Sequence, residues 1–389
     1  MKVSFVLKFK STIGLSALMI LSACGGGYPP PGRCANCPVA NKEVLYLSAL
    51  GVPGSSGQAQ AFPINPTSGA LGAPFNVSPS AAGGMIPTPD SGFAYTADSQ
   101  NNQVDGFAVD PATGALTPIA GSPFPISGPI NLATAAGMDP SGKFLYVSDF
   151  NGSDIIGFSI DKTTGALVQF PGSPFNSGFS PDNVLVSTSN LVEVFDVAGG
   201  ISSYTMNPAT GALTPGVSGP LTYFTANWVG DIVMHSNGKY LYMTQGMTSA
   251  DSGVAAFTLD QTTGFPTLFA GGLFPTGPAP RNAVTDPSTK FLYTANTGDG
   301  TISGFSIDSS TGMLTPVPGS PFSATKAPAP GFLVIMQLAV DPSGKFLYAT
   351  NTPDMSISIF SISATGALSL VGNTPVSAEP GVMRILILP

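Results

Sequence analysis

Charge, histidine, tryptophan and cysteine are all scarce in this chain of 389 residues. Only 9% of its residues are charged, with one His, one Trp and three Cys. Each scarcity excludes something. The single His235 cannot build a multi-histidine metal centre, and three Cys cannot supply four zinc thiolates. A Ser-His-Asp triad would need that one His, and there is no G-x-S-x-G elbow to carry its serine. Thirteen basic against 21 acidic residues give a formal net charge of −8, which repels phosphate backbones and excludes nucleic acid as an expected partner. Past the first 25 residues no long window has 3.6-residue apolar periodicity, so helices do not build the fold. Gly (47) and Pro (38) are abundant, as in a chain of many turns.

One segment recurs seven times. Aromatic-rich strands begin at Val44, Phe93, Phe144, Leu191, Tyr240, Phe291 and Phe346, separated by 47 to 55 residues. A second strand such as Gly157-Phe-Ser-Ile-Asp161 follows each, then a turn that is Thr-Gly in six of the repeats, then a short strand, and then a strand ending in a turn such as Asp139-Pro-Ser-Gly142. In that turn Asp accepts local backbone bonds, Pro presets φ and Gly tolerates positive φ. A fixed period near 50 with four short strands per period predicts an all-β, seven-bladed propeller of four-stranded antiparallel blades over residues 44–389.

The frame of the repeats predicts how the ring closes. The domain begins on a second strand at Val44 and ends on Val382-Met-Arg-Ile-Leu-Ile-Leu388, which has the pattern of a first strand. The last strand is therefore expected to complete the first blade and remove an exposed edge. The turns between first and second strands, and between third and fourth, are short and repetitive. The connections on the opposite face vary in length, notably 246–253 and 319–333, and variable loops on a regular scaffold are where function is expected.

Ahead of the repeats, Lys2, Lys8 and Lys10 precede an apolar core from Ile13 to Leu21, too short for a stable membrane span. The following Leu21-Ser-Ala-Cys24 resembles the lipobox of bacterial lipoproteins. That resemblance implies a signal peptide over 1–23, acylation of Cys24 and export to the cell envelope. Gly25 after the cysteine resembles outer-membrane sorting. Loss of 1–23 leaves ten basic and 21 acidic residues, a balance of −11. Residues 24–43 form a Gly/Pro-rich tether. Within it Cys34 and Cys37 are expected to oxidise into a small structural loop outside the cytosol. Pro38 stands where haem attachment would need His, and no further Cys could complete a zinc site.

The aromatic strands with their Asp-Pro-Ser-Gly-Lys and Thr-Gly-Ala-Leu-Thr-Pro turns resemble the β-propeller lactonase family, whose members include 6-phosphogluconolactonases and a muconate-lactonizing enzyme. The resemblance spans 44–389. For its enzymes it implies Pro-Arg-His entering an inner strand and Asn-Glu ending the next strand. Here Pro280-Arg281 keeps the first two residues, Asn282 stands for the His, and Asn296-Thr297 for Asn-Glu. Arg281 is the residue carried over from the family.

Aligning the repeats four residues before the turn Asp gives one column: Gly84, Ala135, Asn183, Asp231, Asn282, Gln337 and Arg384. Five consecutive blades place a polar group there, at the expected mouth of the central channel. Asp231 and Arg281 are the candidate catalytic pair, an acid to activate water beside an Arg-held carbonyl. Asn183, Asn282, Gln337, Arg384 and the lone Trp228 are candidate ligand contacts, suited to a carboxylate-bearing or sugar-like molecule. His235 occupies a turn-Asp slot and is expected to satisfy backbone groups there. The acidic loop Asp149-Phe-Asn-Gly-Ser-Asp154 lacks the glycine and closing glutamate of an EF-hand, so no metal is assigned. No cofactor is expected. The chain is read as a monomeric, lipid-tethered binding module for a protein, glycan or small carboxylate. A lactone hydrolase with a diverged site is the alternative.

Overall fold

Strands covered on both faces are nearly continuous apolar runs, and the second strand of each repeat is such a run. In Phe144–Asp149 all six residues are buried, and Phe93–Asp98, Tyr240–Gln245, Phe291–Asn296 and Phe346–Asn351 are buried along almost their full length. The computed structural model describes residues 43–50, 59–77, 85–98, 101–127, 133–149, 152–177, 181–196, 200–216, 221–222, 229–246, 250–324, 337–351, 355–376 and 382–388. Cys24, Cys34, Cys37 and Trp228 lie outside them. Among the described residues there is no helix, and the strands form seven antiparallel sheets. The expected seven-bladed propeller is the observed fold.

Blade 1 runs from axis to rim as Val382–Leu388, Val44–Leu50, Ala59–Pro63 and Phe75–Val77. Blades 2 to 7 follow along the chain. Their inner strands are Met85–Pro87, Ala133–Met138, Pro181–Val186, Val229–Met234, Pro280–Thr285 and Leu338–Val340. In blades 2, 3, 4 and 6 the outer strand is two short segments, both paired to the third strand. Between the segments in blades 2, 3 and 6 a serine replaces the missing ladder partner. The hydroxyls of Ser122, Ser173 and Ser320 accept the N–H groups of Gly106, Gly157 and Gly304, each at 2.9 Å.

The core is divided among the seven joints. Each apolar cluster straddles two neighbouring blades, as where Phe144, Tyr146 and Phe170 of blade 3 meet Val184, Val192 and Val194 of blade 4. Polar latches close the joints. The hydroxyls of Tyr46, Tyr95, Tyr146, Tyr242, Tyr293 and Tyr348 donate to the turn carbonyls of Gly114, Gly165, Gly211, Gly312, Gly366 and Gly69 in the next blade, at 2.5 to 2.9 Å. The glycines are required there. Gly211 has φ +75°, and a Cβ on it would lie 2.6 Å from the Phe144 ring.

The bottom turns are built as the sequence implied. Asp139 accepts the N–H groups of Lys143 and Phe144 through one oxygen and that of Ser141 through the other. In the same slot His235 is buried. Its Nδ1 accepts the N–H of Asn237 and its Nε2 lies 3.2 Å from Thr289 Oγ1. Burial lowers its pKa, so the ring is held neutral, a turn residue far from the variable face.

The ring is sealed where its ends meet. Val382–Leu388 pairs antiparallel with Val44–Leu50, with Leu386 opposite Tyr46 and Ile385 opposite Leu47. Leu388 is buried and Leu386 half-buried where blades 1 and 2 meet, and Ile385 and Ile387 are half-buried against blade 7. Each ladder bond contributes about 0.5–1.5 kcal/mol net, and each fully buried aliphatic roughly 1.5–3 kcal/mol. Truncation after Gly381 is therefore expected to abolish a cooperative melt and yield aggregate in size-exclusion chromatography, whereas removal of Pro389 alone leaves the melting temperature unchanged. A wild-type melt from the truncated chain would refute the closure.

Candidate functional site

At the variable face the inner strands of blades 4, 5 and 6 each carry a register irregularity, between Pro181 and Asn183, Val229 and Ile232, and Pro280 and Asn282. A bulge adds a residue and re-aims its neighbours. In blade 6 the additional residue is Arg281: Pro280 pairs with Asn296 and Asn282 with Ala295. The same register sets Asn183 opposite Phe195 and Arg384 opposite Ser48, while Leu338, directly after Gln337, pairs with Ala349. The column aligned from sequence is thus one rung of the inner strands. Nothing further is described of the side chains of Ala135 and Arg384, and Gly84 and Trp228 lie outside the described residues.

Around that rung the polar side chains bond to one another. Asn183 Nδ2 donates to Asp231 Oδ1 at 3.1 Å, and Asn282 Nδ2 donates to Asp231 Oδ2 at 2.6 Å. Asp231 also accepts the backbone N–H groups of Ile232 (2.8 Å) and Ala283 (3.2 Å). Asn282 Oδ1 in turn accepts the N–H of Leu338 at 2.7 Å, which fixes the orientation of the amide. The chain of bonds runs unbroken from blade 4 to blade 7. An ionised carboxylate offers about four lone-pair directions. Each oxygen of Asp231 already holds two donors, so its acceptor capacity is filled by the protein.

Two threonines that the sequence did not single out complete the rung. Thr244 Oγ1 accepts the N–H of Asp231 at 2.8 Å, and Thr350 Oγ1 accepts that of Gln337 at 2.9 Å. Both sit near the end of a second strand, opposite the inner-strand residue they serve. Gly230 permits the close approach of blades 5 and 6. A Cβ there would lie 2.6 Å from the Pro280 carbonyl oxygen and 2.9 Å from Arg281 Cα.

Arg281 enters from a fixed loop. Thr297 donates to the Ala279 carbonyl through both Oγ1 (2.8 Å) and its backbone N–H (3.0 Å), and Ala279 N–H donates to Ser252 Oγ of blade 5 at 3.0 Å. Thr297, standing where the family resemblance implies Glu, is thus a brace for the backbone leading into Arg281. Asn296 is fully buried and its amide donates to Thr301 and Ser303, both at 2.9 Å. Arg281 itself is half-buried, and that burial lowers its pKa from the usual guanidinium value. Chemically, the arrangement offers a cation carried on a braced backbone beside a polar rung whose carboxylate is already engaged by four protein donors. No group of three or more metal-ligating side chains occurs among the described residues.

A sequence profile described as "Lactonase, 7-bladed beta-propeller" matches residues 84–220 and 194–335. A 6-phosphogluconolactonase of Enterobacter sp. (strain 638) is 24% identical over 310 residues, covering 76% of this chain and 86% of that protein. Among solved structures, a Lactobacillus plantarum protein superposes with a TM-score of 0.69 at 17% identity, covering 89% of this chain and 99% of its own. The periplasmic gluconolactonase of Pseudomonas aeruginosa does so with a TM-score of 0.66 at 16% identity, covering 89% and 100%. These structural likenesses carry the fold, and the profile, which spans most of the blades, carries the kinship: the chain belongs to the seven-bladed β-propeller lactonase family.

Proposed function

We propose that this protein is a non-catalytic binding module of the cell envelope, tethered by lipid at Cys24, whose channel mouth at Arg281 holds a sugar-acid-like ligand. The single observation that carries this reading is the filled carboxylate of Asp231. An acid that accepts from Asn183, Ile232, Asn282 and Ala283 has no lone pair left for the proton of an attacking water. The positions where the family resemblance implies His and Glu hold Asn282 and Thr297, and both are engaged in protein hydrogen bonds. Arg281 is suited to a carboxylate, which a guanidinium grips through paired N–H groups. The names of the relatives, a 6-phosphogluconolactonase and a gluconolactonase, support aldonates and their lactones as the ligand class. Arg384 shares the inner rung with Asn282, and Gln337 precedes the strand that Asn282 contacts. The lipobox-like leader supports an exported location, and oxidation of Cys34 with Cys37 would follow from it.

Lactone hydrolysis is the second reading, favoured by Pro280-Arg281 entering an inner strand as in the family. One experiment separates the two. The mature domain is melted with gluconate, 6-phosphogluconate and glucono-δ-lactone, and lactone turnover is assayed in parallel. Binding predicts a ligand-induced rise in melting temperature that Arg281→Ala removes, with turnover no greater than the uncatalysed rate. Turnover by the wild type that Asp231→Asn abolishes, with folding intact, would establish the hydrolase instead.

The same substitution has a structural consequence of its own. An amide at 231 sets its NH₂ against the NH₂ of Asn183 or Asn282 and strands one donor, a loss of about 1–3 kcal/mol. Asp231→Asn is expected to lower the melting temperature by a few degrees, and an unchanged melt would show that the inner bonds do not clamp the blades.

A further inference from the structure

Six joints of the ring are latched by a tyrosine hydroxyl on the turn glycine of the next blade, and the joint between blades 4 and 5 is the exception. At the tyrosine position of Leu191–Asp196 stands Glu193, fully buried. The residue paired with each tyrosine across the strands is Ala61, Gly106, Gly157, Ala256, Gly304 or Ile359; opposite Glu193 it is Ser203. Ser203 Oγ lies 2.5 Å from Glu193 Oε2 and 3.0 Å from the carbonyl oxygen of Gly264, the turn glycine of blade 5. Glu193 Oε1 has no hydrogen-bond partner.

Counting protons decides the state of this group. A serine hydroxyl has one proton to donate and can accept as well. If Glu193 is ionised, that proton goes either to the carboxylate or to Gly264, and one contact is left unmade. If Glu193 is protonated, Oε2–H donates to Ser203 Oγ and Ser203 donates to the Gly264 carbonyl, so both short contacts are satisfied in series. A protonated acid also leaves no charge on the unpartnered Oε1, and an ion there would be buried without compensation.

We propose that Glu193 and Ser203 form a proton-operated latch between blades 4 and 5, closed while Glu193 carries its proton and released when the proton leaves to solvent. The surroundings favour the closed form. In blades 3, 6 and 7 the bottom-turn residue is Asp139, Asp286 or Asp341; burial raises the pKa of the tyrosine in each of these blades, and the nearby aspartate adds a smaller upward push. In blade 4 the bottom-turn residue is the neutral Ser187, whose Oγ accepts the N–H of Leu191. From the third strand the neighbours are Ser203 and Tyr204, the latter donating to the Asn176 carbonyl. The blade 5 turn that presents Gly264 carries Asp260, exposed and turned onto the N–H groups of Thr262 and Thr263. Burial pushes the Glu193 carboxyl up to about 8, against a smaller downward pull from its bond to Ser203.

The sign of the pH effect follows. The folded group holds its proton to higher pH than the unfolded one, whose ordinary value is 4.5. Its contribution to stability is complete below that value, declines as pH rises towards 8, and is constant above. Melting curves from pH 5 to 9 on wild type and Glu193→Gln test it. The amide donates to Ser203 at every pH, so the wild-type melting temperature should fall by about 5 °C more than that of the variant across this range. Glu193→Tyr with Ser203→Gly, which restores the pattern of the other joints, should be equally flat. Parallel profiles for wild type and Glu193→Gln would overturn the latch. The chain has only three glutamates, Glu43, Glu193 and Glu379. Infrared spectra of the ¹³C-Glu-labelled chain carrying Glu43→Gln therefore test the proton directly, even where the position-193 variants fail to fold. A protonated carboxyl band at pH 6 that disappears near pH 8 supports the latch, and its absence at pH 6 overturns it.

Discussion

A four-stranded blade has two apolar faces and can bury both only if another blade presses on each side. The pairing of Val382–Leu388 with Val44–Leu50 is the condition for this, because without it blade 1 loses its inner strand and blade 7 loses a cover. Every other joint is local in sequence. This one joins residues some 340 positions apart, and the hydroxyl of Tyr348 reaches the carbonyl of Gly69 across the same seam. Loop-closure entropy makes such a contact costly to form, yet it rises only slowly with loop length. A single strand of mixed burial is thus sufficient to seal the ring, provided the faces it completes are already shaped.

The joints share one design in which a turn and an aromatic fit each other. The turn glycine of one blade presents its carbonyl to the tyrosine of the blade before it, and a side chain at that glycine would strike the same neighbour's aromatic ring. A buried phenol without a partner costs about 1–3 kcal/mol, so the hydroxyl enforces the approach as well as exploiting it. Nearer the axis there is less room for side chains, and the solution changes. Gly230 admits backbone against backbone, and Asp231 gathers donors from blades 4, 5 and 6. A carboxylate held this way acts as a mechanical node. Arg281 follows a braced loop into that mouth, which is why the binding reading places its ligand there.

The period, the strand order, the closure and the bottom turns were all legible in the sequence because each depends on local pattern: aromatic runs, Asp-Pro-Ser-Gly turns, and an unmatched strand at each end. The shared rung of Asn183, Asp231, Asn282, Gln337 and Arg384 was legible for the same reason, since a count back from the turn gives it. What the count does not reveal is that the side chains of Asn183, Asp231 and Asn282 meet. That depends on the added residue at each bulge, which shifts register by one position, and a shift of one exchanges the faces of a strand. The split outer strands were hidden likewise: the serine that fills each gap is one of many polar residues in a Gly-Ser-Pro segment. Glu193 resembles an ordinary polar member of an alternating strand until it is set against the tyrosines of the other blades.

Blade 4 departs from blades 3 and 6 at two turns. Ser187 replaces the bottom-turn aspartate, and Asn207 replaces the aspartate of the turn between third and outer strands, where its Oδ1 accepts the N–H groups of Ala209 and Thr210 in the same manner. Both exchanges keep the hydrogen bonds and remove the negative charge. The first exchange lies in the blade that buries Glu193; the Asn207 turn faces Tyr146 of blade 3, and the turn that meets Glu193 and Ser203 is that of Asp260 in blade 5. In blades 3, 6 and 7 the bottom-turn carboxylate would add its field to an acid at the tyrosine position; here that turn is the neutral Ser187, and the proton is shared in series with a serine. Blade 4 also contributes Asn183 to the inner bonds of Asp231, so its joint with blade 5 is polar at both the axis and the latch. Elsewhere the joints depend on a phenol that stays protonated at any ordinary pH. This one depends on an acid that titrates within reach of neutrality, which makes it the place where the ring's rigidity depends on conditions.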